Sequence, residues 1–403
     1  MAILHPFRAL RPNPAKAEEV ACVPYDVINT KEARQLAAGK PLSFLHIIRP
    51  EIDLDEGVDE HDDAVYAQGA ANLKAYAASS HAIKEAKPAL YVYRLIMDGR
   101  SQTGVYGCVA VSDYDENVIL KHEKTRPDKE ADRTRHLVTQ QAHAEPVMMT
   151  FRDHGEVQEI INETQAQEPL YDFTAPDGVQ HTIWKVKETE DLVDAFEELE
   201  ELYIADGHHR CKAASLASQQ LGDNSGVGHE RAFFPAVLFP MSEMAILPYN
   251  RIVFKIPQGK EAFLDQVKDV IGASATENPE PAKPGDICLY LDGSWYQGTL
   301  PSTMRNTVAD TLDVARLSEY VLEPVLDIHD PRTDPNMYFV GGIRGTQELE
   351  RIVNEGEAEL AISMYPTSIQ ELVDVSDAGL LMPPKSTWFE PKLRSGLLVH
   401  LMD

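Results

Sequence analysis

The stretch Leu202-Tyr203-Ile204-Ala205-Asp206-Gly207-His208-His209-Arg210-Cys211-Lys212-Ala213-Ala214 decides how the rest of the chain is read. A short apolar run stops at Asp-Gly. Two histidines and an arginine follow at once, and an Ala-rich pattern with helical spacing continues to about Leu221. The pattern predicts a strand, a tight turn and a helix N-terminus. Gly207 has no Cβ, so backbone can approach a ligand closely there. The first N–H groups of a helix lack intrahelical partners, and its dipole favours negative charge at that end. Arg210 beside them is suited to a bidentate pair with phosphate, and His208 and His209 add donors. Asp206 suits a Mg²⁺ ion or the ordering of the histidines. The turn reads as an anion site, phosphate above all. The plain alternative is an Asp-Gly turn carrying two surface histidines and an incidental arginine. A metal site held by the protein is not expected: adjacent histidines converge poorly on one ion, and no Cys or His stands at ligand spacing.

Working outward, the totals bound the possibilities. The chain has 403 residues, enough for two or three domains, and a formal net charge of −28. That charge argues against nucleic-acid binding and against an anionic membrane surface, both of which need a basic face. A small anion in a locally basic pocket stays compatible with it. The four cysteines, Cys22, Cys108, Cys211 and Cys288, form no Cys-x-x-Cys pair and read as buried free thiols in a reducing compartment. The N-terminus lacks a long apolar segment and no run approaches the ~20 residues of a membrane span. These features read as a cytoplasmic protein.

Three Asp-Gly pairs, Asp98-Gly99, Asp177-Gly178 and Asp292-Gly293, stand between β-rich runs and predict hairpins. Strands are also expected at Ser43–Ile48, Val147–Phe151, Phe233–Phe239, Met337–Val340, Leu360–Met364 and Leu397–Met402. Helical spacing marks Thr30–Ala38, Asp62–Ala78, Gly155–Gln165, Asp191–Leu199 and Lys260–Ile271. Pro127 is suited to N1 of a helix reaching about Ala142. Residues 222–230 read as a loop. Helices and hairpins mix without regular βαβ alternation, which predicts α+β rather than a doubly wound sheet. The pattern restarts after Arg251, so one domain is expected over 1–250 and a second, also α+β, over 251–403, the latter closing a cleft.

Two further clusters carry chemistry. Lys121-His122-Glu123-Lys124-Thr125 leads into a run of mixed charge ending at Arg133. A solvated face is the bland reading. The functional one is a carboxylate base, Glu123, among cations that bind phosphate, which suits deprotonation of a hydroxyl attacking phosphorus. Pro383-Pro384-Lys385-Ser386-Thr387-Trp388-Phe389-Glu390-Pro391-Lys392 frames a lysine, two hydroxyls and two aromatics with rigid prolines. It reads either as a loop packing on the core or as a substrate wall. Arg251 is a weaker candidate for the same wall. No Gly-x-Gly-x-x-Gly follows a strand and no Gly-x-x-x-x-Gly-Lys-Ser/Thr occurs.

The Leu202–Arg210 stretch followed by Ala213 and Ala214 resembles the ParB/sulfiredoxin-like fold, and more closely the free-serine kinases of archaea that use it. In that family the Asp-Gly-His-His-Arg turn holds nucleotide phosphate, and a Pro-His-Glu segment supplies the catalytic Glu. His122-Glu123 matches that segment, with Lys121 replacing the proline, and Pro384-Lys385-Ser386-Thr387 resembles the family's Pro-Lys-Thr-Thr-like segment beside the substrate. The chain as a whole resembles a large uncharacterised prokaryotic family through His5–Ala9, Val23–Val27, Lys121–Thr125 and Asp206–Arg210.

The resemblance implies a ParB/sulfiredoxin-like mixed core with hairpin insertions. It implies a small-molecule kinase, with free L-serine as the first expected acceptor and O-phosphoserine as product. ATP, ADP or pyrophosphate would be the donor, with donor-bound Mg²⁺. Glu123, Asp206 and His209 are then the expected catalytic residues. Gly207, His208, Arg210, Lys121, Lys124 and Arg133 would bind phosphate. His122, Thr125, Arg251, Lys385, Ser386 and Thr387 would contact the acceptor. Two other classes stay open: a non-catalytic nucleotide-binding switch of the ParB class with a protein partner, and a hydrolase releasing phosphate or pyrophosphate.

Overall fold

The computed structural model describes residues 1–222 and 229–402; part of the expected loop at 222–230 therefore lies outside the described residues. The chain divides into two compact units. The first comprises Met1–Lys121, Thr125–Met244 and Pro391–Asp403; the second comprises Ala245–Glu390 with His122–Lys124. The division falls six residues before the expected one, and the last stretch of chain returns to the first unit. That return is fixed by backbone pairing. His400–Leu401 ladders with Ala142–His143 and Ser395 bridges Cys22.

The first unit is built on a nine-stranded mixed sheet. Its strands are β1 (Leu4–His5), β2 (Tyr91–Met97), β3 (Arg100–Ala110), β4 (Ile119–Leu120), β5 (Val147–Phe151), β6 (Tyr171–Thr174), β7 (Gln180–Lys185), β8 (Leu202–Asp206) and β9 (Phe233–Pro240). They lie in the order β4-β8-β5-β9-β3-β2-β7-β6, with β1 paired to β3. All eight residues of β9 are buried, as expected of a central strand covered on both faces. Asp98 and Gly99 close the β2–β3 hairpin with φ of 51° and 78°, the left-handed pair that matches strand twist. Asp177-Gly178 lies in the β6–β7 connection. The core contains Val92, Val105, Met149, Phe151, Phe196, Ile204 and Leu238. Two helices matter for the site: α1 (Pro127–Gln140), started by Pro127, and α2 (His208–Leu221).

The second unit carries a six-stranded antiparallel sheet. Its strands are β10 (Tyr249–Val253), β11 (Ser274–Thr276), β12 (Asp286–Leu291), β13 (Ser294–Thr299), β14 (Met337–Gly341) and β15 (Leu360–Met364). They run in the order β11-β13-β12-β15-β10-β14. The β12–β13 hairpin turns at Asp292-Gly293, again with both φ positive, at 47° and 74°. Helices flank mixed and antiparallel sheets without βαβ repetition, so the protein is α+β.

One expected strand is a helix. Ser43–Ile48 contains the helical turn Leu45–Ile48. Its buried residues Phe44, Leu45, Ile47 and Ile48 recur at three- and four-residue spacing, which suits a helix. Ser43 Oγ accepts the Leu45 N–H at 3.4 Å, starting the turn locally. The expected strand Leu397–Met402 is reduced to His400–Leu401. All four cysteines are free and buried. Among the described residues no helix is long and apolar enough to cross a membrane.

Candidate functional site

Strand β8 delivers the Asp206–Arg210 turn. Leu202–Ala205 are buried and Asp206 emerges half-buried, where the register against β5 shifts between Ile204 and Asp206. Gly207 is the N-cap of α2 at φ 106°, ψ 28°, and no side chain caps the helix. An L-residue rarely adopts that conformation. A Cβ there would lie 2.9 Å from Val147 Cγ1 and 3.1 Å from Arg210 Cζ and Nε. Glycine is thus required both by the backbone and by the side chain packed over it. His208 is buried, and His209 Nε2 accepts the Arg126 N–H at 3.1 Å. That bond places the proton of a neutral His209 on Nδ1.

A cluster of ionised groups holds this turn in the first unit. Lys392 Nζ lies 3.2 Å and Arg210 Nη2 3.5 Å from Asp206 Oδ2. Burial alone would raise the Asp206 pKa, but Lys392 and Arg210 outweigh it and hold the carboxyl well below its usual range. Arg210 Nη1 donates to the Pro146 carbonyl, and Nη2 lies 3.9 Å from Asp26 Oδ2. Its Nε is buried and has no acceptor among the described residues. Burial pushes the Arg210 pKa down, but Asp26, Asp206 and Glu145 reverse this and raise it. Glu145 accepts from Tyr25 N–H and Ser395 Oγ, both at 3.1 Å. Burial pushes the Glu145 carboxyl up, against the pull of Arg210 and Arg133.

Arg133, expected to meet phosphate, is braced from behind. Its Nε and Nη2 donate to Asp132 Oδ2 at 2.9 and 2.6 Å, and its guanidinium lies 4.0 Å from the Tyr25 ring centroid. Asp132 also accepts from Tyr66 OH at 2.8 Å and pairs with His61 Nδ1 at 3.2 Å. Burial opposes ionisation of Asp132, but Arg133 and its other partners hold its pKa at about 2. Two expected contacts are engaged elsewhere in the unit. Lys121 Nζ donates to Tyr114 O at 2.9 Å and Asn117 Oδ1 at 3.0 Å, and Thr125 Oγ1 donates to Glu130 at the start of α1.

Sequence reading gave no role to Tyr25, Asp26, Glu145 or Lys392. Tyr25 and Asp26 lie in the Val23–Val27 stretch that carries a family resemblance, so a signal was present without a chemistry. Lys392 closes the Pro383–Lys392 stretch but was given no contact there, and Glu145 had no signal, because only the fold brings them to Asp206 and Arg210.

The second unit holds the other candidates. His122 is buried; its carbonyl accepts the Met382 N–H at 2.8 Å and its Nε2 lies 3.5 Å from Thr387 Oγ1. Glu123 is half-buried and Lys124 exposed. Ser386 Oγ donates to Pro383 O at 2.6 Å and thereby ties its own turn. Lys385 sits at φ 56°, with Nζ 5.5 Å from the Tyr249 ring centroid. Arg251, only 3% exposed, donates through Nη2 to Lys385 O at 3.3 Å and through Nη1 to Tyr249 O. No carboxylate pairs with it among the described residues. Burial lowers its pKa to about 10. The guanidinium is balanced by these carbonyl dipoles and by the Phe339 ring, whose centroid lies 5.4 Å from its Cζ.

Comparison with known proteins adds a family. A family model described as "Protein of unknown function (DUF1015)" matches residues 4–315, and the chain belongs to that family. No curated protein matches it in sequence. Among solved structures it is similar to C-terminally truncated SbnI from Staphylococcus aureus, at 12% identity and a TM-score of 0.40, over 73% of this chain and 87% of that one. It is also similar to a free serine kinase in complex with AMP, at 13% identity and a TM-score of 0.36, over 73% of this chain and 91% of that one. A conserved hypothetical protein from Pyrococcus furiosus is similar at 14% identity and a TM-score of 0.34, over 72% and 95% of the two chains. Likenesses this distant assign no activity.

Proposed function

We propose that the protein is a small-molecule kinase that transfers a phosphoryl group from a nucleotide or pyrophosphate to a hydroxyl, with free L-serine as the first acceptor to test. The observation that carries the reading is the turn at Gly207. A buried strand runs into an uncapped helix N-terminus through a residue that must be glycine, beside a buried Arg210 Nε without an acceptor. Donor phosphates would be held by the first-turn amides with His208 and His209. Asp206, whose Oδ2 accepts from Lys392, would turn its carboxylate to donor-bound Mg²⁺, which would supply charge neutralisation at the phosphates.

The motif resemblance assigns Glu123 the hydroxyl proton, as general base. Arg251 would take an anionic group of the acceptor, and serine carries one. Lys385 and Thr387 would add polar contacts, Ser386 acting through its turn. Catalysis would then be positioning plus electrostatics.

Phosphorus NMR with Mg²⁺, L-serine and ATP, ADP or pyrophosphate in turn tests this. Phosphoserine from one donor is the expected result. No product from any donor sinks the serine-kinase reading; phosphate release without serine indicates a hydrolase, and nucleotide binding without turnover a switch. Glu123→Gln is expected to keep donor binding and to lose at least ~10²-fold in turnover; full activity removes Glu123 from the mechanism.

A further inference from the structure

A cavity of about 680 Å³ lies within the first unit, lined by none of the residues of the Asp206–Arg210 turn. Its walls come from three segments: Glu18–Val23, Leu36–Leu45 and the Pro176–Asp177 turn, with Arg394 completing the lining. Val23, Leu36, Pro41, Leu42, Leu45 and Pro176 make it largely apolar. Its volume is that of a small-ligand pocket, and such pockets fix their ligands by a few convergent polar groups on apolar walls.

Arg394 is the buried charged group of the lining; Glu18, Glu19 and Lys40 are exposed to solvent, and Asp177 pairs with Arg394. Arg394 is 6% exposed, and its position is fixed from behind. Nε donates to His181 Nε2 at 3.1 Å, and the Arg394 backbone N–H meets Tyr93 OH at 3.4 Å. Tyr93 OH in turn lies 2.8 Å from His181 Nδ1. Burial and the neighbouring guanidinium lower the His181 pKa to about 3, so the imidazole is a neutral acceptor and cancels none of the charge. Among the described residues the only carboxylate paired with Arg394 is Asp177, reached through Nη2, and that side chain is 49% exposed on a turn. Nη1 makes no hydrogen bond among the described residues. The cavity therefore presents a rigid, nearly buried cation with one donor unused and one partner that can yield to solvent. A carboxylate matches this fork in shape and charge.

We propose that this cavity binds a small monocarboxylate with an apolar body, its carboxylate on Arg394 and its body against Leu36, Leu42 and Leu45. The site is separate from the turn of the proposed kinase function and does not depend on that reading. Isothermal titration of the full chain with naphthylacetate, and with naphthylethanol as its uncharged counterpart, tests it. One-site binding is expected, with the alcohol at least ~10-fold weaker, about 1.4 kcal/mol. Arg394→Gln should remove the difference between the probes. Leu36→Glu, at a 42% exposed position, should weaken both. Equal affinity for both probes in the unaltered protein overturns the proposal, as does no binding. Binding unchanged by Leu36→Glu also overturns it, and this arm holds even if Arg394→Gln fails to fold.

Discussion

Replacing Arg251 by methionine separates a cation kept for a ligand from one kept for the fold. Burial lowers the guanidinium pKa to about 10, from an ordinary value above 12. The charged form is thus disfavoured in the folded protein by roughly 3 kcal/mol, at ~1.4 kcal/mol per pH unit. The sign follows: a cation whose folded pKa is depressed lowers stability at neutral pH, and the penalty fades as pH rises through about 10. Against this, methionine loses two hydrogen bonds to carbonyls, worth ~1–2 kcal/mol together. The net expectation for Arg251→Met without ligand is a change between zero and a gain of about 2 kcal/mol. A bound anion reverses the balance. A carboxylate or phosphate oxygen ~4 Å away contributes ~4 kcal/mol at an effective dielectric of 20, before its own desolvation. The assay is urea denaturation with and without phosphate at matched ionic strength. A Trp184→Phe background leaves only Trp295 and Trp388, both in the second unit, to report. Phosphate should stabilise the Arg251 protein and not the methionine variant. A loss above 2 kcal/mol in the variant, with equal phosphate response in both, would refute the reasoning and make Arg251 a structural residue.

Gly207→Ala should cost about 2–5 kcal/mol in the first unit, combining a φ of 106° with a Cβ pressed on Val147 and Arg210. Denaturation followed by Trp184 measures it, and a loss under 0.5 kcal/mol would show that the turn relaxes freely. Asp132 gives a pH prediction. Its folded pKa of about 2 lies below the ordinary carboxylate value, so its stabilisation is present above pH ~4 and lost as pH falls towards 2. Asp132→Asn should flatten that part of the stability-versus-pH curve by ~2 kcal/mol; an unchanged slope would mean that Arg133 is not held by this charge.

Local patterns were legible where local rules decide. Asp98-Gly99 and Asp292-Gly293 close hairpins because both pairs take left-handed φ, which these residue types tolerate. Gly207 follows from the strand-turn-helix pattern by the same logic. Ser43–Ile48 was misread because an apolar run this short fits either period, and Ser43 tips it to a helical turn. The partners of the turn were out of reach for a different reason. Lys392 is 186 residues from Asp206 and Glu145 is 120 from Tyr25, and no local pattern encodes such meetings. Arg251 was visible as a residue, but its burial without a counter-charge among the described residues emerges only from the fold.

The same distinction reshapes the role of Arg210. As a free fork it would grip phosphate through two parallel N–H groups. In the folded protein Nη1 is on the Pro146 carbonyl and Nη2 faces Asp26 and Asp206, leaving Nε without an acceptor among the described residues. Arg210 is thus first a clamp. It ties the start of α2 to the Pro146 carbonyl, and it fixes the Asp206 carboxylate against Lys392. The cations Arg210, Arg133 and Lys392 meet four carboxylates, Asp26, Asp132, Asp206 and Glu145, so the cluster carries little positive charge to spare. A polyphosphate donor at this turn would meet oriented amides and imidazoles rather than an excess of cations. Its charge must then be offset largely by the ion it brings. For that reason the phosphorus NMR experiment without Mg²⁺ should give no phosphoserine, even with the donor that succeeds in its presence.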